Sequence, residues 1–494
     1  MKKSMILLIQ TSLLQLSRYL TLEWESIRFL TLGVILCGNR PADVYGENGF
    51  KLFKNINPGD IKQGYWGDCY FLSAISSVAE YPERIEKIFE TKELNSPGIY
   101  SVTLYITGEK RTVTVDDYFP FCPSKDDWAF SKSVDQEIWV LILEKAWAKI
   151  HGSYQRIEGG NTAEALMALT GAYVDYIFHD QIVNKDVLWS KIFNSDQLKY
   201  IIATAASSAK VGKNKDDMKN SGIIDSHAYS LLEVTPLITD QKIKVRLLKL
   251  RNPWGFEEWK GAWSDSDNNN WTDDLKQKLN YEAKDDGVFF IEFEDYLAYY
   301  YNSTIWKYQS NEIFYYYNAT DTVKEYAVFK FNIKKSKLKT KLFLAVNQLN
   351  SRFKNKDENF EYAPLKVMVA KIAGDQLKFV DGDAVQFCSV QLELEDLPTG
   401  KYIVFCKPQW EFYHHCRNLV WSININQETS IKRIYYKKFT SEIVKTMEEW
   451  LNDRLLQGKD YQRQQLEEDD NFNDEEEKDD DVESPNKENV SGIK

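Results

Sequence analysis

Hydrophobic residues recur at two different spacings along the chain, and the spacing changes near residue 172. Before this point apolar residues lie three and four positions apart, which predicts helices at 71–79, about 135–150 and 162–169. A short strand pair is predicted at 99–105 and 111–116. After residue 172, alternating and dense apolar runs predict strands at 228–234, 244–249 and 288–293. A polar, lysine-rich loop is predicted at 207–222.

The region 311–435 has a pattern of its own. Six apolar or alternating runs are separated by turn residues, at 327–333, 341–346, 365–372, 389–394, 402–407 and 419–425. Short strands at this density predict an antiparallel β-sandwich. Residues 436–466 form an amphipathic, helix-like pattern, and residues 467–494 are an acidic segment that predicts disorder. The fold class predicted is therefore α+β, with a β-sandwich after a mixed region.

Length and composition narrow the classes of protein. A chain of 494 residues is expected to form two to four domains, and 43% hydrophobic residues are enough to build their cores. Most of the net charge of −12 falls in 467–494, which holds thirteen acidic and three lysine residues. The rest of the chain is nearly neutral and lacks the basic surface that nucleic-acid binding requires. No nucleic-acid partner is therefore expected.

The cysteines and the N-terminus bear on the cell compartment. Six cysteines occur at irregular spacings and none forms a C-x-x-C pair, so a structural zinc site is not predicted. This pattern is typical of reduced thiols in a cytosolic protein, and we expect a cytoplasmic location. Residues 1–40 are predicted to be an amphipathic N-terminal extension that packs on the body, in preference to a signal peptide, because no small-x-small cleavage site follows the apolar run. Their first apolar run, which ends at Leu16, is too short and too interrupted to cross a membrane.

One cysteine lies where a thiol can become a nucleophile. Cys69 follows Gly64, Gly67 and Asp68 and begins the helical pattern at 71–79, so it is predicted at a helix N-terminus. The positive end of a helix and a nearby imidazolium both favour a thiolate. The alternative, a buried structural cysteine, is the commoner role for this residue type. The glycines and Gln63, six residues earlier, favour catalysis.

A base and an orienting residue follow at two strand-to-turn junctions. His227 lies in Asp-Ser-His-Ala-Tyr-Ser, and Asn252 lies in Arg-Asn-Pro-Trp-Gly. An Asn side-chain oxygen can hold the imidazole in one tautomer, so the chain order matches Cys-His-Asn catalysis. His151 is predicted to cap a helix end instead.

These residues belong to a set of motifs that resembles the calpain family of cysteine proteases. The motifs are Gln-Gly-Tyr-Trp-Gly-Asp-Cys-Tyr-Phe-Leu-Ser-Ala (63–74), Leu-Glu-Lys-Ala-Trp-Ala-Lys (143–149), Gly-Gly-Asn-Thr (159–162), His-Ala-Tyr-Ser (227–230), Arg-Asn-Pro-Trp-Gly (251–255), Trp-Lys-Gly-Ala-Trp-Ser-Asp (259–265) and Asp-Gly-Val-Phe (286–289). The resemblance covers about 40–308 and extends more weakly into 311–430. No EF-hand loop occurs in the sequence, so the type resembled is a non-classical calpain.

The resemblance implies a fold and a set of roles. The fold is a papain-like core of two subdomains, 41–171 with Cys69 and 172–308 with His227 and Asn252, followed by a calpain-type sandwich at 311–435 and a tail at 436–494. Gln63 would donate to the oxyanion together with the Cys69 amide. Trp254 would shield the bond between Asn252 and His227 from water. The activity implied is limited proteolysis of protein substrates.

Calpain cores also bind regulatory calcium, and five acidic residues match that use. They are Asp60 and Glu137 in the first subdomain and Glu258, Asp265 and Asp286 in the second. Oxygen ligands of this kind suit calcium, although solvated loop carboxylates are the ordinary alternative. Two positions depart from the family: Val288 replaces a further acid, and Pro58 replaces the arginine that pairs with it. The coupling between the two calcium sites is therefore expected to be weaker.

Other functions use the same residues. A catalytically silent, calpain-like scaffold would be marked by loss of a triad member, and all three are present. A thiol acyltransferase would need the same triad, and a peptide-cleavage assay separates the two. The sandwich is expected to be regulatory and to contact proteins or an acidic membrane surface.

Overall fold

A computed structural model describes most of the chain between residues 28 and 456. The described residues are 28–29, 34–64, 67–182, 184–238, 244–307, 315–323, 325–336, 339–349, 362–374, 376–385, 389–410, 418–434 and 441–456. The predicted acidic tail, 467–494, and most of the predicted N-terminal extension lie outside them. The described helices are each too short or too polar to cross a lipid bilayer.

Residues 34–171 form a helical region edged by short strands. The helices are α1 Pro41–Tyr45, α2 Cys69–Ala79, α3 Pro82–Ile88, α4 Trp139–His151 and α5 Thr162–Thr170. The strands, with a first pair just upstream, are β1 Arg28–Phe29, β2 Val34–Ile35, β3 Cys37–Asn39, β4 Ile61–Lys62, β5 Ile99–Ile106, β6 Glu109–Asp116, β7 Phe119–Cys122, β8 Asp127–Trp128 and β9 Lys132–Ser133. Strand β3 lies in the predicted extension but pairs with β7.

Helix α2 is the centre of this region because it is buried on every side. All of its residues from Tyr70 to Ala79 are buried, which is the pattern of a core helix rather than a surface helix. It packs against α5 on one side and against strands of the following region on the other. Burial on every side places the first residue, Cys69, at the junction of the two regions.

Residues 172–307 form a six-stranded antiparallel sheet with helices on it. The strands are β10 Val174–Phe178, β11 Ile201–Ala206, β12 His227–Ile238, β13 Lys244–Arg251, β14 Val288–Glu292 and β15 Tyr300–Trp306, in the order β10-β15-β11-β12-β13-β14. The helices are α6 Lys185–Gln197, α7 Ser208–Val211, α8 Lys215–Ser221, α9 Asp273–Lys278 and α10 Phe293–Tyr299. The start of β12 and the end of β13 are adjacent, which brings 227 and 252 to one edge.

The predicted polar loop at 207–222 is wrong, because the segment contains α7 and α8. Asn214 and Asp217 form a capping box at the start of α8, and Gly222 ends it in the left-handed conformation, with φ at +80°. Met218 is fully buried and anchors the helix. Polar composition hid two short helices whose cap residues are visible in the sequence.

Residues 315–434 form two antiparallel sheets. The strands are β16 Tyr315–Thr322, β17 Ala327–Ile333, β18 Leu342–Asn347, β19 Leu365–Ala373, β20 Gln376–Val385, β21 Ser389–Leu394, β22 Gly400–Pro408, β23 Asn418–Ile425 and β24 Lys432–Arg433. Their orders are β16-β23-β18-β21 and β20-β19-β22-β17-β24. Side chains of both sheets share one buried cluster, in which the Phe329 and Trp421 ring centroids are 4.4 Å apart. Strands β16, β20 and β24 were not predicted from the sequence.

Helix α11, Ser441–Leu456, follows these sheets. It packs on β20 and β19, with Met447 and Leu451 buried in a small cluster outside the main core. It lies within the amphipathic segment predicted at 436–466, whose other residues are outside the described part of the chain.

The four-stranded sheet contacts both halves of the preceding region. Ser422 Oγ donates to the Gly108 carbonyl at 2.8 Å, and Asn424 Nδ2 donates to the Gly171 carbonyl at 2.9 Å. Gln391 Oε1 accepts from the Val174 amide at 3.2 Å. A Cβ on Gly108 would lie 2.3 Å from Ser422 Oγ, and the backbone φ of +79° at Gly108 also favours glycine at this close approach. The contacts fall on either side of residue 172, where the two halves meet.

Candidate active site

Cys69 is the first residue of α2. The Asp68 carbonyl accepts from the amides of Phe71 at 2.9 Å and Leu72 at 3.1 Å, which starts the helix. The thiol lies against the other half of the protease region, where the backbone N–H of Ala228 hydrogen-bonds to it. Because Ala228 follows His227 in the chain, the cysteine faces the start of β12.

His227 enters β12 from a sharp turn. Ser226 before it has φ at +52°, and His227 pairs with Ala206 at the end of β11. The imidazole is 4% exposed, and its Nε2 is 2.8 Å from Asn252 Oδ1. Nε2 is thereby engaged, and Nδ1 is the nitrogen left to exchange a proton with a thiol.

The Asn252 amide is held in a single orientation. Its Nδ2 donates to the carbonyls of Phe256 at 2.8 Å and Glu257 at 3.0 Å. Its Oδ1 accepts from the Trp254 amide at 3.0 Å. A rotated amide would set Nδ2 against the Trp254 N–H and Oδ1 against two carbonyls. The oxygen therefore faces His227, and Nε2 of the imidazole carries the hydrogen.

Trp254 lies over the pair, and Gln63 lies beside it. The Trp254 ring centroid is 4.8 Å from that of His227, at an interplanar angle of 52°. Gln63 directly follows β4, and its backbone N–H donates to the Pro253 carbonyl at 3.2 Å. Tyr65 and Trp66 lie outside the described residues. The structure thus brings Gln63 to the loop of Asn252, and its oxyanion role stays a prediction.

Comparison with known proteins bears on this arrangement. A family model described as calpain family cysteine protease matches residues 36–307, more than half of the chain. The chain belongs to the calpain family of cysteine proteases. The matched span contains every motif residue described above.

Several calpains are similar over the same region. "Calpain-type cysteine protease ADL1" of Oryza sativa subsp. japonica is 37% identical over 280 residues, which are 54% of this chain and 12% of that protein. "Calpain clp-4" of Caenorhabditis elegans is 31% identical over 246 residues, 48% of this chain and 34% of that protein. "Calpain-12" of Homo sapiens is 32% identical over 267 residues, 53% of this chain and 36% of that protein. The chain thus spans about a third or less of the length of these relatives.

Among solved structures, the cysteine protease and lectin-like domains of Cwp84 from Clostridium difficile cover 78% of this chain and 77% of that chain. The TM-score is 0.21 and the sequence identity is 12%. A TM-score this low does not support a statement about the fold.

Burial controls the charge of the cysteine and histidine in this calpain. Loss of solvent is the main cause that raises the pKa of the Cys69 thiol to about 11, against the opposing hydrogen bond from Ala228. Loss of solvent also lowers the pKa of His227 to about 4, against the opposing bond to Asn252. Both groups are therefore uncharged near neutral pH. The thiolate that the helix N-terminus favours is outweighed here by burial.

Asp60 and Glu137, the first acidic pair, lie together in the Cys69 half. They are 5% and 1% exposed, and their carboxyls are in hydrogen-bonding contact. Burial is the main cause that raises the pKa of Asp60 to about 7, and Glu137 raises it further. Glu137 also accepts from the Asn55 amide at 2.7 Å. Two buried carboxyls that share a proton fit a cation chemically, because a cation can replace that proton.

Glu258, Asp265 and Asp286, the second acidic set, lie in loops of the other half. Glu258 Oε1 accepts from the Gly287 amide at 2.7 Å, and Asp265 Oδ2 from the Lys284 amide at 2.9 Å. Burial is the main cause that raises the pKa of Glu258 to about 7, with Asp265 adding to it. Asp286 is exposed. Across the described residues no three His, Cys, Asp or Glu side chains are arranged to hold a metal ion. Carbonyls or water would have to complete either site.

Arg251 is a functional candidate that the sequence reasoning missed. Its guanidinium is buried in the His227 half and donates to the Ile61 carbonyl at 2.6 Å and to Ser76 Oγ at 3.4 Å, both in the Cys69 half. It also lies within electrostatic reach of Asp60 and Asp286, one acid from each set. The feature of the sequence that could have identified Arg251 is its position directly before Asn252. Arg251 therefore links the two halves where the ion pair lost to Pro58 and Val288 was expected.

Proposed function

We propose that this calpain is an active intracellular cysteine endopeptidase that performs limited proteolysis of protein substrates. Cys69 is the nucleophile, His227 the general base and acid, and Asn252 the residue that orients His227. The observation that carries the proposal is the 2.8 Å contact between His227 Nε2 and Asn252 Oδ1. It leaves Nδ1 as the working nitrogen, and the Cys69 thiol lies against Ala228, the next residue in the chain.

The proposed reaction begins with proton transfer from the Cys69 thiol to His227 Nδ1. The sulfur then attacks the scissile carbonyl carbon, and the negative charge moves to the carbonyl oxygen. The Cys69 backbone N–H and the Gln63 side chain are the proposed donors to that oxygen. When the C–N bond breaks, the leaving amine takes the proton from Nδ1. Water then releases the acyl group as a carboxylic acid and restores the thiol, with His227 acting again as base.

The surroundings of His227 support its role in both steps. Nε2 keeps its hydrogen bond to Asn252 while Nδ1 gains and loses the proton, so the imidazole does not turn away. The Trp254 ring, 4.8 Å from the imidazole, keeps water from competing for Asn252. Because His227 is neutral when buried, it can accept a proton before the attack.

We propose regulatory calcium at the two acidic sets. Asp60 and Glu137 would hold one ion, and Glu258, Asp265 and Asp286 would hold another, completed by carbonyls or water. Calcium supplies positive charge that replaces the proton between buried carboxyls and ties their loops together. Each set lies within reach of Arg251, so binding there is placed to bias the alignment of the two halves.

The remaining parts of the proposal concern the rest of the chain. The two sheets of 315–434 are proposed to be a calpain-type β-sandwich with a regulatory role, meeting protein partners or an acidic membrane surface. A cytoplasmic location is proposed because the described cysteines Cys37, Cys69, Cys122 and Cys406 are free thiols.

The test is hydrolysis of an unfolded protein while calcium is titrated, with the Cys69→Ala variant as control. We expect cleavage that rises with calcium and vanishes in the variant, whose small residue suits the start of a buried helix. Cleavage by pure Cys69→Ala would refute Cys69 as nucleophile. Cleavage that ignores calcium would refute the calcium part alone.

One observation favours a second function. Burial keeps the pKa of the Cys69 thiol at about 11, and a thiol that holds its proton this firmly is a poor nucleophile. A silent scaffold would bind the unfolded protein equally well in the natural chain and in the Cys69→Ala variant, and neither would cleave it. A thiol acyltransferase would instead transfer the acyl group to an added amine faster than to water.

A further inference from the structure

A pair of buried carboxyls lies next to the proposed nucleophile and is used by neither catalysis nor the calcium sets. Asp68, the residue before Cys69, is 1% exposed, and Glu144 of α4 is 2% exposed. The two carboxyls are in hydrogen-bonding contact with each other. Two ionised carboxylates cannot be held this way without a counter-charge, so one of them keeps a proton.

Glu144 is held firmly from its other side. The Ser131 amide donates to Oε1 and Oε2, each at 3.1 Å, and Ser131 Oγ donates to Oε2 at 2.8 Å. Helix α4 is buried around Glu144, so its rotamer has little freedom. Glu144 is therefore a fixed point against which the turn before α2 can be placed.

Asp68 uses its side chain in an unusual way for its position. It is the N-cap residue of α2, yet its side chain makes no capping hydrogen bond to the helix. The carboxyl turns instead to Glu144, and only the Asp68 carbonyl starts the helix. An N-cap Asp ordinarily stabilises its helix through a bond from the backbone to its side chain. Here that stabilisation is given up for the contact with α4.

We propose that Asp68 and Glu144 share one proton and act as a positioning pair for Cys69. The pair fixes the turn that presents the thiol, and the single negative charge it retains on Asp68 adds to the burial that keeps Cys69 in the thiol form. This inference rests on the proposed role of Cys69, which it deepens. It assigns a reason for the glutamate in the 143–149 motif.

The charges around the pair agree with this distribution of protons. Burial is the main cause that raises the pKa of both carboxyls, that of Asp68 to about 6 and that of Glu144 well above its usual range. The three hydrogen bonds from Ser131 oppose the rise at Glu144, and we assign the shared proton to Glu144 and the remaining charge to Asp68, which is ionised above pH 6. Glu158 also faces Asp68, and Tyr154 faces both carboxyls without a charge of its own. Around the thiol itself, Asp68 raises the pKa of Cys69, and the neutral Tyr229 lies within electrostatic reach of the thiol.

The test compares Glu144→Gln with the double variant Asp68→Asn/Glu144→Gln in the full chain. The Glu144→Gln change imitates the protonated glutamic acid and leaves the charge on Asp68, whereas the double variant removes the charge and keeps the shape. The measurement is the rate at which 2,2′-dipyridyl disulfide modifies Cys69 between pH 5 and 8, followed by mass spectrometry of the Cys69 peptide. Cys37, partly exposed in β3, is the internal control.

The expected result has a size and a pH range. Removing the charge should lower the pKa of Cys69 by about 0.5 unit, which raises the thiolate fraction at fixed pH about threefold. At pH 7.5 the double variant should react about threefold faster than Glu144→Gln. The difference should vanish near pH 5, where Asp68 is protonated in Glu144→Gln and so carries no charge in either variant. Glu144→Gln should match the natural chain throughout, and Cys37 should not change.

Two outcomes overturn the inference. Equal rates for the single and double variants at pH 7.5 would show that Asp68 does not control the thiol. A rate change in Glu144→Gln as large as that in the double variant would show that Glu144, not Asp68, carries the charge. The positioning part is tested by Glu144→Leu, which should change the Cys69 modification rate as well as lower the melting temperature. An unchanged rate would show that Glu144 does not position the thiol. Because Cys69 modification is measured without a substrate, failure here is distinct from the absence of proteolysis.

Discussion

Burial shifts the pKa of His227 and the pKa values of the acidic sets in opposite directions, because it disfavours a positive charge on the first and negative charges on the second. At the triad, loss of solvent lowers the pKa of His227 to about 4, and fixed partners surround the neutral imidazole. At the acidic sets, loss of solvent raises the pKa of Asp60 and of Glu258 to about 7. Their neighbours include further carboxyls, which raise the pKa values of Asp60 and Glu258 further.

The two kinds of site differ in whether the chain itself supplies all the bonding partners. It does so at the triad, and it does not at the acidic sets. The triad's amide donors and acceptors are matched by the chain itself, so its geometry can persist without an added group. The acidic sets hold protons that a cation can replace. On the proposed function, catalysis would use the triad and regulation would use the two acidic sets, with Arg251 within electrostatic reach of one acid of each set. The following experiments test that division.

The largest effect is expected for Asn252→Ala. The change removes the acceptor of His227 and the amide that fixes the following turn. We expect kcat/KM for an unfolded substrate to fall by about 10²-fold or more. Asn268→Ala, in an exposed loop, is the matched control and should retain full activity. A loss below tenfold would mean that the imidazole is oriented by other contacts.

The next effect is expected for Arg251→Met. The variant loses donors to buried carbonyls across the two halves, and we expect it to unfold about 2 kcal/mol more easily in urea. Arg246→Met, on the same strand but at the surface, should cost less than about 1 kcal/mol. Equal losses in the two variants would show that Arg251 does not link the halves.

A smaller effect is expected from calcium. The Asp60/Glu137 pair is almost fully buried, whereas the second set includes the exposed Asp286 and has Val288 where a further acid was expected. Calorimetry on the full chain with Cys69→Ala, which prevents self-cleavage, should show a tighter and a weaker site. Their affinities should differ about tenfold, or about 1.4 kcal/mol. Asp60→Asn should remove the tighter one and Asp286→Asn the weaker one. Two equal, strongly cooperative sites would contradict weakened coupling.

The smallest effect concerns pH and stability. A histidine whose folded pKa is lowered binds fewer protons when folded, so stability is lost as pH falls from about 6.5 towards 4. For His227 the loss between pH 6.5 and 5.5 should be about 1 kcal/mol. Urea unfolding of the natural chain and of His227→Gln at both values isolates this contribution. A variant with the same pH slope as the natural chain would mean that His227 is solvated.

Local signals in the sequence predicted much of the fold. The apolar spacing after Cys69, the strand-to-turn junctions at His227 and Asn252, and the short apolar runs after residue 311 all correspond to elements of the structure. Each rests on residues that are neighbours in the chain. Strand β20 was missed because Asp381, Gly382 and Asp383 interrupt its apolar pattern.

What the sequence did not predict depends on distant partners. Glu144 and Asp68 are far apart in the chain, and neither the proton they share nor the charge that remains is visible in a motif. In the sequence, Arg251 is visible only as part of the Asn252 motif, because the carbonyl that accepts its hydrogen bond, that of Ile61, belongs to the other half. The spacing of Cys69, His227 and Asn252 predicted the triad's members but not the uncharged state that burial imposes on them.

The bonds from Ser422 and Asn424 to Gly108 and Gly171 have a practical consequence for cutting this protein into pieces. A fragment that stops at residue 307, where the family match ends, would expose these two carbonyls to water. It would also expose the Tyr173 ring, which stacks on Phe343 with the ring centroids 5.5 Å apart. A crystallographer who wants the protease alone should therefore mutate that aromatic surface to polar residues, or keep the chain through helix α11.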